Sequence, residues 1–219
     1  PNLKYVRDFG IDCFEYSFGR GVNMSEAKAV SIGEAFREEG VEISVHAPYF
    51  INFANPADEA AQKSYGYVLD SAKYLKLFGG SRLVFHPAAQ GKATREQAVA
   101  LTEERLKVLR DYIYMNGYED LMFCPEVMGK LAQIGTLEEV VRLCKIDPVF
   151  TPCVEHHKIM YGGKGEIKHL TFADEVYGPE FEPLAVALKE LKLEPYIVSE
   201  SDGTQAEDAR TMKDIYNKV

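Results

Sequence analysis

Short apolar segments with β-strand character alternate with helical segments along this chain, and five of the strand segments finish in a histidine or a glutamate. The strand segments are rich in β-branched and aromatic residues, and the segments between them show helical spacing of apolar residues. Apolar strands that alternate with helices predict a parallel sheet with helices on its outside. At 219 residues the chain fits one large α/β barrel or two small domains; we predict one barrel domain over residues 1–219.

The residues at the strand ends are all of types that bind metal ions. They are His46, His86, Glu126, Glu155 and Glu200. All strands of a parallel barrel end on the same face, so these five side chains are expected around one mouth. Pro48 and Pro87 follow the two histidines and prevent the strand ladders from continuing. A histidine at such a point has its backbone held by the sheet and its side chain accessible beyond the strand end, which suits a metal ligand.

This ligand set predicts which metals the mouth would take. Imidazole together with carboxylate suits zinc, manganese, iron or cobalt better than magnesium or calcium. Glu126 lies midway in the series and is predicted to bridge two ions. Two ions roughly 3.5 to 4 Å apart would polarise an oxygen and activate water at neutral pH.

Each of these residues also has an ordinary structural explanation. Buried histidines bond to backbone groups, and buried glutamates pair with lysine or arginine. Glu200 leads into Ser201-Asp202-Gly203, where it is also placed to cap the loop. Glu15 is predicted inward on its strand, either behind the metal ligands or as a buried salt-bridge residue, and His169 lies in a charged loop. The metal hypothesis therefore depends on the repeated strand-end position more than on any single residue.

Composition narrows the function classes. With 25 basic and 34 acidic residues the formal charge is -9, which argues against indiscriminate binding of nucleic acid but not against bound cations. No apolar run of about 18 residues exists, so no membrane span and no membrane partner are predicted. The four cysteines have no paired spacing and are expected to be reduced thiols in a cytoplasmic protein.

Several short motifs occur in a recognisable order. They are His46-Ala47-Pro48-Tyr49, Phe85-His86-Pro87, Pro125-Glu126, Pro152-Cys153-Val154-Glu155 and Ser199-Glu200-Ser201. Over nearly its whole length the chain resembles the endonuclease IV group of AP endonucleases, within the xylose isomerase-like barrel superfamily. The resemblance implies a TIM-type (β/α)8 barrel. It also implies a DNA-repair hydrolase that uses up to three zinc ions to cleave DNA 5′ to abasic sites.

The same resemblance assigns roles at the mouth. His46, His86 and Glu126 would hold the first metal, and Glu126, Glu155 and Glu200 would share the second. Glu126 and Glu200 would be the catalytic residues, acting with two or three zinc ions, or with manganese in their place. A monomer that binds DNA with abasic sites is expected.

The third metal position departs from the family pattern. Three residues after Glu155 the family has a zinc-binding histidine, where this chain has Lys158, whose ammonium would repel a cation. Strand alternation predicts that His157 points inward with Glu155 and is a possible substitute. His169, with Glu166 nearby, would belong to the loop that supplies the third metal.

The chain is also shorter than the family pattern in two places. Between Glu155 and Leu170 the family has a helix and a further strand, which the short segment here cannot contain. The resemblance therefore predicts that the first strand and a segment near residues 158–169 are missing from this chain, with a join near Gly162-Gly163-Lys164-Gly165.

Three functions remain open. The first is an endonuclease IV-like hydrolase, favoured by the loop 49–55, which the family uses at the DNA surface, and by Arg20, Lys130 and Lys158 as phosphate contacts. The second is a divalent-metal isomerase or epimerase acting on a small sugar or sugar phosphate. The third is a non-catalytic barrel with an incomplete metal site, favoured by Lys158. Fold analogy does not separate them.

Overall fold

A computed structural model describes residues 3–193 and 195–219. Within these ranges the helices are α1 (Leu3–Phe9), α2 (Glu26–Glu38), α3 (Asp58–Phe78), α4 (Arg95–Met115), α5 (Leu137–Cys144), α6 (Glu182–Glu190) and α7 (Gln205–Lys218). The strands are β1 (Cys13–Ser17), β2 (Glu42–His46), β3 (Arg82–Phe85), β4 (Ala88–Ala89), β5 (Met122–Pro125), β6 (Gln133–Ile134), β7 (Ile159–Gly162) and β8 (Gly165–His169). A helix is predicted to begin at Asn2, which lies outside the described residues.

Four strands form the central sheet in the order β1-β2-β3-β5, and every neighbouring pair is parallel. Each crossover contains a helix, so the predicted parallel sheet with helices outside is confirmed. The sheet core is formed by side chains such as Leu83, Phe85 and Phe123, which are completely buried. Because parallel strands end on one side, His46, His86 and Glu126 leave the sheet at its carboxyl edge.

Side chains at the starts of three helices cap the free N–H groups there. Ser25 accepts a hydrogen bond from the Lys28 N–H at the start of α2. Thr94 and Thr136 form capping boxes with Gln97 and Glu139 at the starts of α4 and α5. A side chain that bonds to the first free N–H groups satisfies donors that the helix cannot. None of the helices in the described ranges is long and apolar enough to cross a membrane.

The segment predicted as a strand from Val149 to Glu155 follows β5 in parallel but is not a continuous strand. Phe123 N–H donates to Val149 O at 2.8 Å and Cys153 N–H donates to Pro125 O at 3.1 Å. Only isolated bridges result, because Pro152 has no N–H to donate and β5 itself ends in a proline. The predicted position is right, but the predicted regular strand is wrong.

The predicted last strand, Pro195 to Glu200, is also not a strand. Its backbone contact with the preceding segment is the bond from His156 N–H to Val198 O, at 3.3 Å. On its other side, residues 195–199 and β1 both line a cavity of about 900 Å³, with Cys13 Sγ 4.0 Å from Ile197 O. Within the described residues β1 pairs only with β2, so its other edge has no strand partner.

Residues 158–169, predicted to be too short for a helix and a strand, form the antiparallel hairpin β7–β8. The glycine-rich stretch predicted as a join contains the hairpin turn. Apolar residues such as Ile159 and Ile167 flank this Gly-Gly-Lys-Gly stretch, a pattern that is typical of a hairpin rather than of a join. The hairpin lies against the loop after β5 through an antiparallel bridge between Lys130 and Gly165. His169 is thereby carried to the sheet's carboxyl edge.

Candidate metal centre

The first ligand group lies where β2, β3 and β5 end. Glu126 Oε2 is 3.1 Å from His46 Nε2 and 3.2 Å from His86 Nε2. The two imidazole rings meet edge to face with their centroids 5.0 Å apart. His46 Nδ1 donates to the Ala47 carbonyl at 2.8 Å, so its Nε2 is the nitrogen turned toward Glu126. This bond fixes the ring for ligation through Nε2.

Without a metal, this group is a buried ion pair. Burial by itself lowers the pKa of His46, but the hydrogen bond to Glu126 and the charges of Glu126 and Glu15 outweigh it and raise that pKa to about 9. Burial likewise acts to raise the pKa of Glu126, but the bonds from both histidines bring it down to about 2. A proton on His46 thus occupies the position that a cation would take.

The second ligand group consists of three carboxylates. Glu126, Glu155 and Glu200 each offer one oxygen, and these oxygens lie within 4.8 Å of one another. Both oxygens of Glu155 are buried and have no hydrogen-bond partner among the described residues. Burial, followed by the charges of Glu126, Glu200 and Glu15, raises the pKa of Glu155 well above its usual value. Carboxylates crowded in this way are stable only when a proton or a bound cation neutralises part of their charge.

The third ligand group is formed by His157, His169 and Glu200, again with one atom of each within 4.8 Å. The two imidazole centroids are 4.0 Å apart. His157 Nδ1 is buried and has no partner within the described ranges. Burial and the nearby His169 lower the pKa of His157 to about 4. A neutral imidazole with an unused nitrogen is ready to bind a metal ion.

The three groups form one row, because Glu126 belongs to the first and second and Glu200 to the second and third. Three buried polar atoms in this row, the Glu155 oxygens and His157 Nδ1, are otherwise unpaired. Buried polar groups in native proteins nearly always have partners, and a bound ion would supply one for these three atoms. The donor set of imidazole and carboxylate fits divalent transition metals.

Lys158 does not face this row. Its ammonium donates to the Asp174 carbonyl at 2.8 Å and lies 2.8 Å from Glu180 Oε1, and the residue is only 4% exposed. The expectation that Lys158 repels a metal is therefore wrong, and so is its proposed contact with phosphate. The same alternation that turns His157 inward turns Lys158 outward.

Replacing Lys158 tests this placement. We expect Lys158→His to leave the number of bound metal ions unchanged in elemental analysis, because the side chain points elsewhere. Lys158→Met should lower the free energy of unfolding by about 1 to 3 kcal/mol, since the Asp174 carbonyl loses its donor. Urea unfolding measures this, with the exposed Lys164→Met as the matched control. An additional metal ion in Lys158→His would show that position 158 reaches the site.

Tyr49 and Glu15 also border the centre, although neither is predicted as a site residue. The Tyr49 ring is half exposed and its centroid is 5.5 Å from those of His46 and of His86. Tyr49 thus forms a wall of the mouth. Glu15 accepts a hydrogen bond from Ser44 Oγ at 3.1 Å inside the sheet. Of the two predicted roles, the buried salt bridge is replaced by this hydroxyl contact, and a position behind the metal ligands stays a prediction.

Comparisons of sequence place the chain among known proteins. A family model for the xylose isomerase-like TIM barrel matches residues 3–178. An uncharacterized protein of Methanocaldococcus jannaschii is 28% identical over 165 residues, which are 75% of this chain and 59% of that protein. A probable endonuclease 4 of Mycoplasma mobile is 30% identical over 118 residues, 52% of this chain and 40% of that protein. The chain thus spans less than two thirds of the length of these relatives.

Solved structures of two activities share the fold. A D-psicose 3-epimerase crystallised with D-fructose has a TM-score of 0.73 at 13% identity, covering 100% of this chain and 92% of that one. Endonuclease IV from Thermus thermophilus has a TM-score of 0.70 at 15% identity, covering 99% and 93%. At these identities the likeness shows the fold alone and favours neither activity. With the family model matching most of its length, the chain belongs to the xylose isomerase-like TIM barrel family.

Proposed function

We propose that this protein is a metal-dependent phosphodiester hydrolase of the endonuclease IV type, which cleaves DNA at abasic sites. The row of three ligand groups joined by shared carboxylates supports this function best. Several neighbouring ions, when bound, activate water and stabilise the charge that develops on the attacking and leaving oxygens of a phosphodiester. An isomerase that works with one ion has no use for a third ligand group.

Each of the three ligand groups would hold one ion. His46, His86 and Glu126 would hold one ion, Glu126, Glu155 and Glu200 a second, and His157, His169 and Glu200 a third. These assignments extend the expected set by His157, whose free nitrogen supports its inclusion. Glu126 and Glu200, each shared by two groups, would keep neighbouring ions close, as the catalytic role requires. Zinc fits this donor set, and manganese is the alternative.

Basic side chains near the mouth would bind the DNA backbone. Arg20 follows β1 and Lys130 follows β5, and both are exposed. Because the net charge is -9, attraction to phosphate must come from such local contacts rather than from the whole molecule. The half-exposed Tyr49 offers an apolar ring beside the ligand groups. Together these three side chains would bind a DNA strand across the metal row.

The assay is cleavage of a duplex carrying a stable abasic analogue by metal-loaded protein. We expect incision 5′ to the analogue and none in an undamaged duplex of the same sequence. Binding should weaken with salt, and Arg20→Gln or Lys130→Gln should each reduce the slope of log affinity against log salt by about 1. Binding that does not depend on salt would argue against phosphate contacts.

A sugar epimerase is the second candidate, supported by the D-psicose 3-epimerase structure, which covers the whole of this chain. The same metal-loaded preparation should be incubated with a ketohexose and with its phosphate ester. Interconversion of sugar epimers without incision of the abasic duplex would replace the proposed function with this one.

A further inference from the structure

We propose that Asn52 is the positioning residue that holds His86 in the first ligand group, by fixing the segment that follows β3. The proposal rests on the proposed function in taking His86 as a metal ligand. Asn52 is not a member of the three ligand groups in the described part of the chain. Its effect on metal binding is therefore indirect, through the backbone that carries His86.

The ring of His86 is held less firmly than that of its neighbour His46. His46 Nδ1 bonds to the Ala47 carbonyl at 2.8 Å, whereas in the described part of the chain His86 Nδ1 has no hydrogen-bond partner. Apart from the contact of its Nε2 with Glu126, the His86 ring packs against the rings of His46 and Tyr49. Ring packing alone leaves a side chain free to shift, so the position of His86 depends on where its backbone lies.

The side chain of Asn52 reaches that backbone. Its Oδ1 accepts hydrogen bonds from the N–H groups of Ala54 and of Ala89, both at 3.1 Å. Since both partners are donors, the atom turned toward them is the amide oxygen, and both of its lone pairs are used. The bond to Ala54 is a local turn that orients the Asn52 side chain. The bond to Ala89 ties the loop after β2 to the segment three residues beyond His86.

Backbone bonds around Asn52 make this tie rigid. Asn52 N–H donates to Ser64 Oγ on α3 at 3.1 Å, and Phe53 N–H donates to Pro87 O at 3.1 Å. Phe53 is completely buried, so the loop cannot move as a free unit. On its other side the segment after His86 pairs with β6 through β4. Asn52 and β6 therefore hold this segment between them, and loss of Asn52 would release one side.

Asn55 offers a matched control in the same loop. Its Oδ1 accepts a hydrogen bond from Ala57 N–H at 3.0 Å, the same kind of local turn that Asn52 makes with Ala54. In the described residues the Asn55 side chain makes no hydrogen bond to the segment after β3. Asn55→Ala thus removes the same atoms and one turn bond without removing a bond to the backbone beyond His86.

The first readout uses metal-free protein. Asn52→Ala should speed hydrogen exchange of the Ala89 amide by about fivefold, because its acceptor is lost. It should also shift the NMR signals of the His86 ring, while Asn55→Ala leaves both unchanged. Unchanged His86 signals in folded Asn52→Ala protein would overturn the proposal.

The second readout is metal affinity, measured by calorimetric titration with zinc. Asn52→Ala should weaken one site by about 10-fold and leave the others unchanged. Asn52→Asp should retain most of the affinity, because a carboxylate oxygen still accepts from Ala89. In a His86→Ala background the loss caused by Asn52→Ala should disappear, since Asn52 acts through His86. An equal loss in that background would place the effect elsewhere and overturn the proposal.

The remaining outcomes separate this proposal from the proposed function. If Asn55→Ala weakens zinc binding as much as Asn52→Ala, the loop in general rather than Asn52 supports the site, and the proposal is wrong. Circular dichroism checks folding, and Asn52→Ser, whose shorter side chain does not reach Ala89, replaces Asn52→Ala if that variant does not fold. If the wild type binds no zinc, the proposed function fails, while the His86 signals in metal-free protein still decide whether Asn52 positions this ring.

Discussion

Glu126→Gln is expected to remove metal from two of the three ligand groups and to abolish DNA cleavage. Glu126 is the residue shared by the first and second groups, and its Oε2 contacts both His46 and His86. Glutamine has nearly the same shape but no charge, so the histidines lose their anionic partner. A loss of about 4 kcal/mol in transition-state stabilisation corresponds to about a thousandfold in rate.

Elemental analysis and the abasic-duplex assay measure the two effects on one preparation. Glu138→Gln, the same chemical change on an exposed helix turn, should retain full metal content and activity. Circular dichroism shows whether the Glu126→Gln chain still folds. Full metal content in folded Glu126→Gln protein would refute the bridging role of Glu126.

The first part of the site was predictable because it lies on regular strands. His46 is the last residue of β2, and His86 and Glu126 directly follow β3 and β5. A regular parallel strand puts its end at a known edge, so short apolar runs closed by proline were sufficient to place these side chains together.

The other side of the site was harder to predict, because its segments are not regular strands. The predicted strands ending in Glu155 and Glu200 are largely unpaired. Pro152 has no N–H to donate, and the segment before Glu200 borders a cavity where a neighbouring strand would lie. Even so, side-chain alternation holds there: His157 points to the site, whereas His156 packs between Phe172 and Phe181. Reading Lys158 by its position in a family pattern, rather than by this alternation, produced the wrong expectation.

The position of the β7–β8 hairpin could not be predicted from the sequence for a different reason. The glycine-rich stretch that forms its turn is predicted as a join rather than a turn, and the placement of the hairpin depends on contacts between residues far apart in the chain. The bond from Glu166 N–H to Gly129 O joins positions whose proximity no local pattern reveals. The part of the site that depends on tertiary packing therefore required the structure.

Metal loading is expected to stabilise the protein strongly. An ion at a free concentration of about a thousand times its dissociation constant adds about 4 kcal/mol to the free energy of unfolding. For a chain of this size that corresponds to a rise in Tm of about 8 to 16 °C. The gain arises because bound metal neutralises the crowded Glu155, whose pKa is raised by burial and by neighbouring carboxylates in the metal-free protein.

This stabilisation should grow as the pH rises from about 6 to 8. The pKa of His46 is about 9, so an ion that binds its Nε2 must displace a proton, and apparent affinity rises about tenfold per pH unit below that value. In metal-free protein the free energy of unfolding falls as the pH rises. The raised pKa of His46 gives stability that is complete below about 6.5 and is lost as the pH rises toward 9. His157, with a pKa of about 4, is already neutral and opposes neither trend.

Thermal unfolding with a chelator and with added manganese, at several pH values in this range, measures the two curves. We expect the difference in Tm between loaded and metal-free protein to widen with pH, because one curve rises while the other falls. In Glu126→Gln the widening should be smaller, since His46 loses the hydrogen-bonded carboxylate that holds its proton and keeps only the charge of Glu15. An equal rise in Tm at every pH would mean that the ions bind without displacing the His46 proton, away from the first ligand group.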